Sequence, residues 1–204
     1  MDQKKFTIQE AIGFGFQKAK ENLGFFITLG VISLLMNIVP MIILSMIDKD
    51  ATWLRLLIQL AVNAVSLIVG IGSLKLTLDV VDGRKPEIST LLSYTKYFWP
   101  TLGAGILVGL LVILGFILLI IPGIILGLGL QFYNYFVIDK DAGAVESLRM
   151  SWNATKGYKL YLTWFGLVLL GVNLLGILLL IVGLIWTVPT SMIATAYVYR
   201  KLST

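Results

Sequence analysis

Residues 97–138 form a run of 42 residues without a charged side chain, bounded by Lys96 and Asp139. As α-helix that run is about 63 Å long at 1.5 Å per residue. The hydrocarbon core of a bilayer is only about 30 Å thick. One crossing cannot use such a length, and two can. Ile121-Pro122-Gly123 supplies the break, because proline lacks an N–H and suits a first helical turn while glycine permits a reversal. The run predicts a tight transmembrane hairpin, and with it an integral membrane protein.

The rest of the chain repeats the theme. Residues 22–47 and 160–199 are also free of charge, and residues 53–81 carry only Arg55, Lys75 and Asp79. A soluble domain of 204 residues needs more polar surface than a chain that is 58% hydrophobic and 13% charged. The expected spans are residues 24–47, kinked at Pro40, and 53–81. Next come the two arms of the hairpin, and finally two arms of a second hairpin within 160–199, turning near Trp186 to Pro189. Three short amphipathic segments precede the pairs. In the first, Thr7 and Glu10 fit a capping box, and Ile8, Ala11, Ile12, Gly15, Phe16 and Ala19 share one face. It reads as a helix lying in the membrane interface. Residues 87–97 and 144–157 are the other two.

The expectation is therefore an all-α polytopic membrane protein: one membrane domain, six transmembrane helices and three cytosolic-side amphipathic helices. The order amphipathic segment, span, span recurs three times, which suggests an internal repeat with units 1–82, 83–139 and 140–204. Any six-span protein with cytosolic linkers gives a similar spacing. With the N-terminus inside, 13 Lys and Arg fall on that side against Lys49 and Arg55 opposite, with Lys75 inside a span. Both termini are then cytoplasmic, at a plasma (inner) membrane. The net charge of +5 is explained by topology, so nucleic acid is not an expected partner. Membrane lipids, a protein partner or a second copy of the chain are. There is no Cys and no His. That excludes disulfides, thiol catalysis, imidazole or thiolate metal sites and His-based acid–base chemistry, and no cofactor is expected.

The stretch from 121 to 157 carries a family resemblance. Ile121-Pro122-Gly123-Ile124 is followed by Phe132-Tyr133-Asn134-Tyr135-Phe136, Asp139, Gly143-Ala144, Ser147-Leu148, Ser151-Trp152 and Thr155-Lys156-Gly157. This resembles bacterial and archaeal membrane families that include domain of unknown function 975 and the membrane domain fused to some glycerophosphodiester phosphodiesterases. The resemblance implies a six-helix membrane domain. It does not bring the phosphodiesterase activity, whose catalytic domain is separate.

Two sets of residues are candidates for function. Lys75 and Asp79, four apart on one helix, with Gln59 and Asn63 on the same span, suggest a polar pocket. The alternatives are a snorkelling lysine and interhelical hydrogen bonding. Arg84, Lys85, Arg149, Lys156 and Lys159 suggest contacts to anionic headgroups, or simple topology determinants. No catalytic constellation stands out. The leading expectation is a non-enzymatic component that binds lipid or a partner and serves envelope or membrane homeostasis. The rival is a small transporter with a polar path near Lys75 and Asp79, which requires those residues to share a cavity with Gln59 and Asn63.

Overall fold

The computed structural model describes residues 6–179 and 182–204, which leaves Lys4 and Lys5 outside it. Among the described residues all regular structure is helical: α1 (Ile8–Glu21), α2 (Leu23–Met46), α3 (Thr52–Val81), α4 (Phe98–Leu118), α5 (Ile120–Leu130), α6 (Tyr133–Lys140), α7 (Ala144–Ala154), α8 (Lys159–Leu178) and α9 (Leu184–Ser203). Among the described residues, five helical segments are long and apolar enough to cross a membrane: Leu23–Met46, Thr52–Val81, Thr95–Leu118, Ile120–Lys140 and Lys159–Leu178. Their outward faces are strongly apolar. Met41, Met46, Trp53, Ile117 and Leu178 are each more than 70% exposed, a pattern suited to hydrocarbon rather than water.

The sixth expected span, α9, is not among these five. It carries threonines, serines, Pro189 and a basic end, Arg200-Lys201. It is also the core of the fold: Ile193, Ala194, Ala196, Val198 and Tyr199 are completely enclosed, and α1, α2, α3 and α8 all pack on it. The two facts have one cause. Hydroxyls are costly against lipid tails, so they are placed where protein covers them. Thr190, Ser191 and Thr195 each return a hydrogen bond to the carbonyl four residues earlier, at 2.7–2.8 Å. Asn173 of α8 donates to Ser191 at 2.8 Å.

Four local expectations are corrected. First, the segment read as an interfacial helix, α1, is packed antiparallel along α9. Thr7 caps it as expected, accepting from Glu10 N at 3.1 Å, but the Glu10 carboxylate accepts from the Tyr197 hydroxyl instead of turning back. Gly15 lies so close to α9 that an added Cβ would be 2.5 Å from the Thr190 carbonyl oxygen. Ala11, Gly15 and Ala19 form the buried stripe, the small-residue spacing that lets two backbones approach. Second, residues 87–97 make two short 3-10 turns, Ile88–Thr90 and Thr95–Tyr97, rather than a continuous amphipathic helix. Third, the last reversal precedes α9. Pro189 is the sixth residue of that helix, so Trp186 to Pro189 is helix and not turn. Fourth, the 97–138 hairpin turns at Leu119, whose backbone is extended. Pro122 then sits in the first turn of α5, where its missing N–H costs nothing.

The second arm of that hairpin is interrupted at Gln131-Phe132, between α5 and α6. Broken backbone at membrane depth needs buried partners, and α7 supplies them. Ser151 Oγ accepts from Phe132 N at 3.1 Å and donates to the Gly129 carbonyl at 2.9 Å. Thr155 Oγ1 lies 3.1 Å from the same carbonyl. Ser147, Ser151 and Thr155 are entirely buried, one turn apart on α7.

Candidate functional site

The ends of α3, α6 and α9 meet in a network of charges. Arg200 grips Asp82 with two bonds, Nε to Oδ1 at 2.9 Å and Nη2 to Oδ2 at 2.7 Å. Its third nitrogen is 2.7 Å from Asp139 Oδ2, which also accepts from the Tyr199 hydroxyl at 2.8 Å. Arg84 extends the network, donating to Asp79 at 2.9 Å and to Asp82 at 2.7 Å. Lys75 stands 3.8 Å from Asp79. The hydrogen bond to Asp79 raises the Arg84 guanidinium above its ordinary value, outweighing partial burial. Every carboxylate here has a cation against it. The arrangement is a three-helix ionic clamp, bidentate at Arg200, and not an open binding site.

Two clefts lie elsewhere. The larger, about 890 Å³, opens between α2, α3 and α9. Its walls are mainly apolar, with Phe26, Leu34, Val69 and Met192 among them, and Tyr135 of α6 on one side. Gly30 and Gly70 also line it, and both face open space. The smaller cleft, about 470 Å³, lies between α2 and α3 and is lined by Arg55, Gln59, Asn63, Asn37 and Ser45. Gln59 Nε2 donates to Asn63 Oδ1 at 3.1 Å.

The sequence-derived candidates therefore separate. Gln59 and Asn63 share a cleft. Lys75 and Asp79 line neither cleft and belong to the clamp. Lys75 lies 12 residues beyond Asn63 on the same helix, about 18 Å along it. Among the headgroup candidates, Arg84 is held by Asp79 and Asp82, and the Lys159 ammonium rests over the Trp152 ring, 3.1 Å from its centre. Lys85, Arg149 and Lys156 are exposed and have no side-chain partner among the described residues. From the sequence, Asp82 was given no role and Asp139 only that of bounding the charge-free run. Arg200 was missed as their common partner, and the one sign of it was that all three residues follow a long apolar run.

Comparison with known proteins assigns a family and no activity. The model of a domain of unknown function, DUF7847, matches residues 54–199. Two uncharacterised proteins of Mycobacterium tuberculosis and one of Mycobacterium bovis are each 33% identical over 152 residues. The match covers 71% of this chain and 44% of each relative, so the chain spans under half the length of the curated relatives it matches. No solved structure matches significantly. These findings do not bear on the two resemblances drawn from residues 121–157. With the matched region covering α3 through α9 almost whole, the chain belongs to the DUF7847 family.

Proposed function

We propose that this chain is a non-enzymatic integral membrane protein that holds an acyl chain of a membrane lipid in the cleft between α2, α3 and α9, and serves membrane homeostasis in that capacity. The observation that carries the reading is the cleft itself. It is mainly apolar, has a volume of about 890 Å³, and lies between helices whose outer faces suit hydrocarbon. That volume is in the roughly 300–1,000 Å³ range of ligand pockets. A solute path is less favoured, since the cation and carboxylate it requires are bound in the clamp and outside the cleft.

The reading extends to the plan of the fold: six spans in three units, both termini cytoplasmic in a cell membrane. Three parallels support the repeat. Asp82, Asp139 and Arg200 end the three units' last helices and join one another. Ten residues ahead of them lie Gly72, Gly129 and Thr190. At each of these the leading segment of the next unit packs closely. An added Cβ on Gly72 would be 1.9 Å from the Leu91 carbonyl oxygen, one on Gly129 would be 2.4 Å from the Trp152 ring, and Gly15 abuts Thr190. The first unit's segment packs on the third unit, which closes the ring.

The test is lipid retention. Protein captured in native-lipid nanodiscs is analysed by native mass spectrometry, beside Gly30→Phe, which fills the cleft, and Leu174→Phe on an exposed face. A lipid held above its bulk abundance by wild type and Leu174→Phe, and lost from Gly30→Phe, is the expected result. Equal, bulk-like lipid in all three would refute the reading.

A further inference from the structure

The two clefts are one groove. They share Met36, Asn37 and Ser66, so an apolar chamber runs directly into a polar one. Arg55 is the polar chamber's cation. Its Nη1 donates to the Leu44 and Ile47 carbonyls at 2.7 and 3.1 Å, closing the end of α2. Its Nε and Nη2 have no partner among the described residues. No carboxylate lines the chamber, and no acidic group lies within ion-pair distance of Arg55 among the described residues. Asn63 adds an amide nitrogen that donates to no group among the described residues, its Oδ1 accepting from Gln59. An uncompensated guanidinium that is only partly exposed is a recognition element for an anion, and its planar fork suits phosphate oxygens.

We infer that the chamber around Arg55, Gln59 and Asn63 receives the phosphate headgroup of an anionic lipid whose acyl chain lies in the adjoining apolar cleft. This rests on the lipid-binding reading above and names the lipid class. The amphiphile is matched to the groove by its own polarity, with charge at the Arg55 end and hydrocarbon toward Met192 and Tyr135. Arg55 stands at the opposite end of α3 from the ionic clamp. With cytoplasmic termini, the lipid is drawn from the outer leaflet.

The probe is phosphatidylglycerol against phosphatidylcholine, mixed in nanodiscs around the full chain and read by native mass spectrometry. Wild type is expected to enrich phosphatidylglycerol about tenfold over the bulk ratio, the scale of one charge-assisted bond. Gln59→Glu places a carboxylate four residues from Arg55 while leaving its bonds to α2 in place. It is expected to return the ratio to bulk. Arg55→Lys keeps the charge and is expected to keep a preference. An unchanged ratio in Gln59→Glu overturns the headgroup assignment alone. Loss of all retained lipid from wild type removes the acyl-chain reading and this one with it. Displacement of bound phosphatidylglycerol by excess inorganic phosphate would also overturn the inference, assigning the chamber to a free anion.

Discussion

Replacing Gly72 with alanine probes the tightest approach made at any glycine among the described residues. The new Cβ would sit 1.9 Å from the Leu91 carbonyl oxygen and 2.9 Å from its carbon. Both are backbone atoms, so no side chain can swing away. Accommodation requires α3 and the 88–97 segment to separate by more than 1 Å. Overpacking of this kind costs about 1–3 kcal/mol, and more where backbone is involved. Alanine in a helix interior returns about 1 kcal/mol. The balance is a net loss of roughly 1–2 kcal/mol. Gly70, two residues away on the same helix, has nothing within 4 Å of its added Cβ. There the propensity gain stands alone, about 0.5–1 kcal/mol in favour of alanine. The two variants should therefore differ by roughly 2–3 kcal/mol, with opposite signs relative to wild type. Reversible unfolding in mixed detergent–SDS micelles, followed by circular dichroism, measures the difference. Equal stability of Gly70→Ala and Gly72→Ala would refute the close approach. Gly13→Ala and Gly15→Ala, and Gly127→Ala and Gly129→Ala, form the equivalent pairs and should split in the same direction.

Three further outcomes follow from the packing. Arg200→Gln removes the cation that Asp82 and Asp139 share, leaving Asp82 to Arg84 and Asp139 to Lys140. It should cost about 2 kcal/mol after allowance for partial exposure, read in the same unfolding assay, and Asp139→Asn should recover part of the loss. Ser151→Ala orphans the Phe132 N–H in the α5–α6 break and should cost about 1–3 kcal/mol. Thr155→Ala should cost less, since Gly129 keeps its bond from Ser151, and hydrogen exchange at Phe132 distinguishes the two. The Asp141 carboxyl is held below its ordinary value, first by its hydrogen bond from Lys96 at 2.9 Å. A depressed carboxylate stabilises the fold above its unfolded-state value, and that contribution disappears as pH falls through the folded value. Lys96→Met should therefore lower stability near neutral pH and flatten the acid limb of the stability–pH curve. An identical curve for the variant would sink the assignment.

The spans were legible because lipid imposes length and apolarity on sequence directly. Charge-free runs located α2 and α4 to within a few residues and the start of α8, though not its end, and Pro122 marked the neighbourhood of the hairpin turn. What was not legible depends on neighbours distant in the chain. Hydropathy records transfer from water to oil, so it undervalues α9, a helix whose polar groups are covered by protein. Pro189 resembles turn punctuation, yet it belongs to the second turn of a helix. The break at Gln131-Phe132 has no strong local signal, because Ser151, twenty residues on, satisfies it. The stripe Ala11, Gly15, Ala19 was visible on one face of α1. Its small side chains point to contact with another helix more than to lipid, and the amphipathic pattern alone does not make that distinction.

The candidate site divides in the same way. Gln59 and Asn63 could be paired from their spacing, and they do line a cleft. Arg55 was read only as a residue at the end of a span, because its role depends on α2 folding back beside it. Lys75 and Asp79 were chosen as intramembrane charges. Their company, Arg84 and Arg200, is contributed by a turn and by the last helix, and only the fold brings these groups together.

A cryo-EM map of the full chain in native-lipid nanodiscs, with a rigid binder for alignment, tests the central claim most directly. The account predicts a continuous rod of density between α2, α3 and α9, ending in a compact feature beside Arg55. A groove closed by contact of α2 with α9, or one that stays empty while annular lipids are visible, would contradict it.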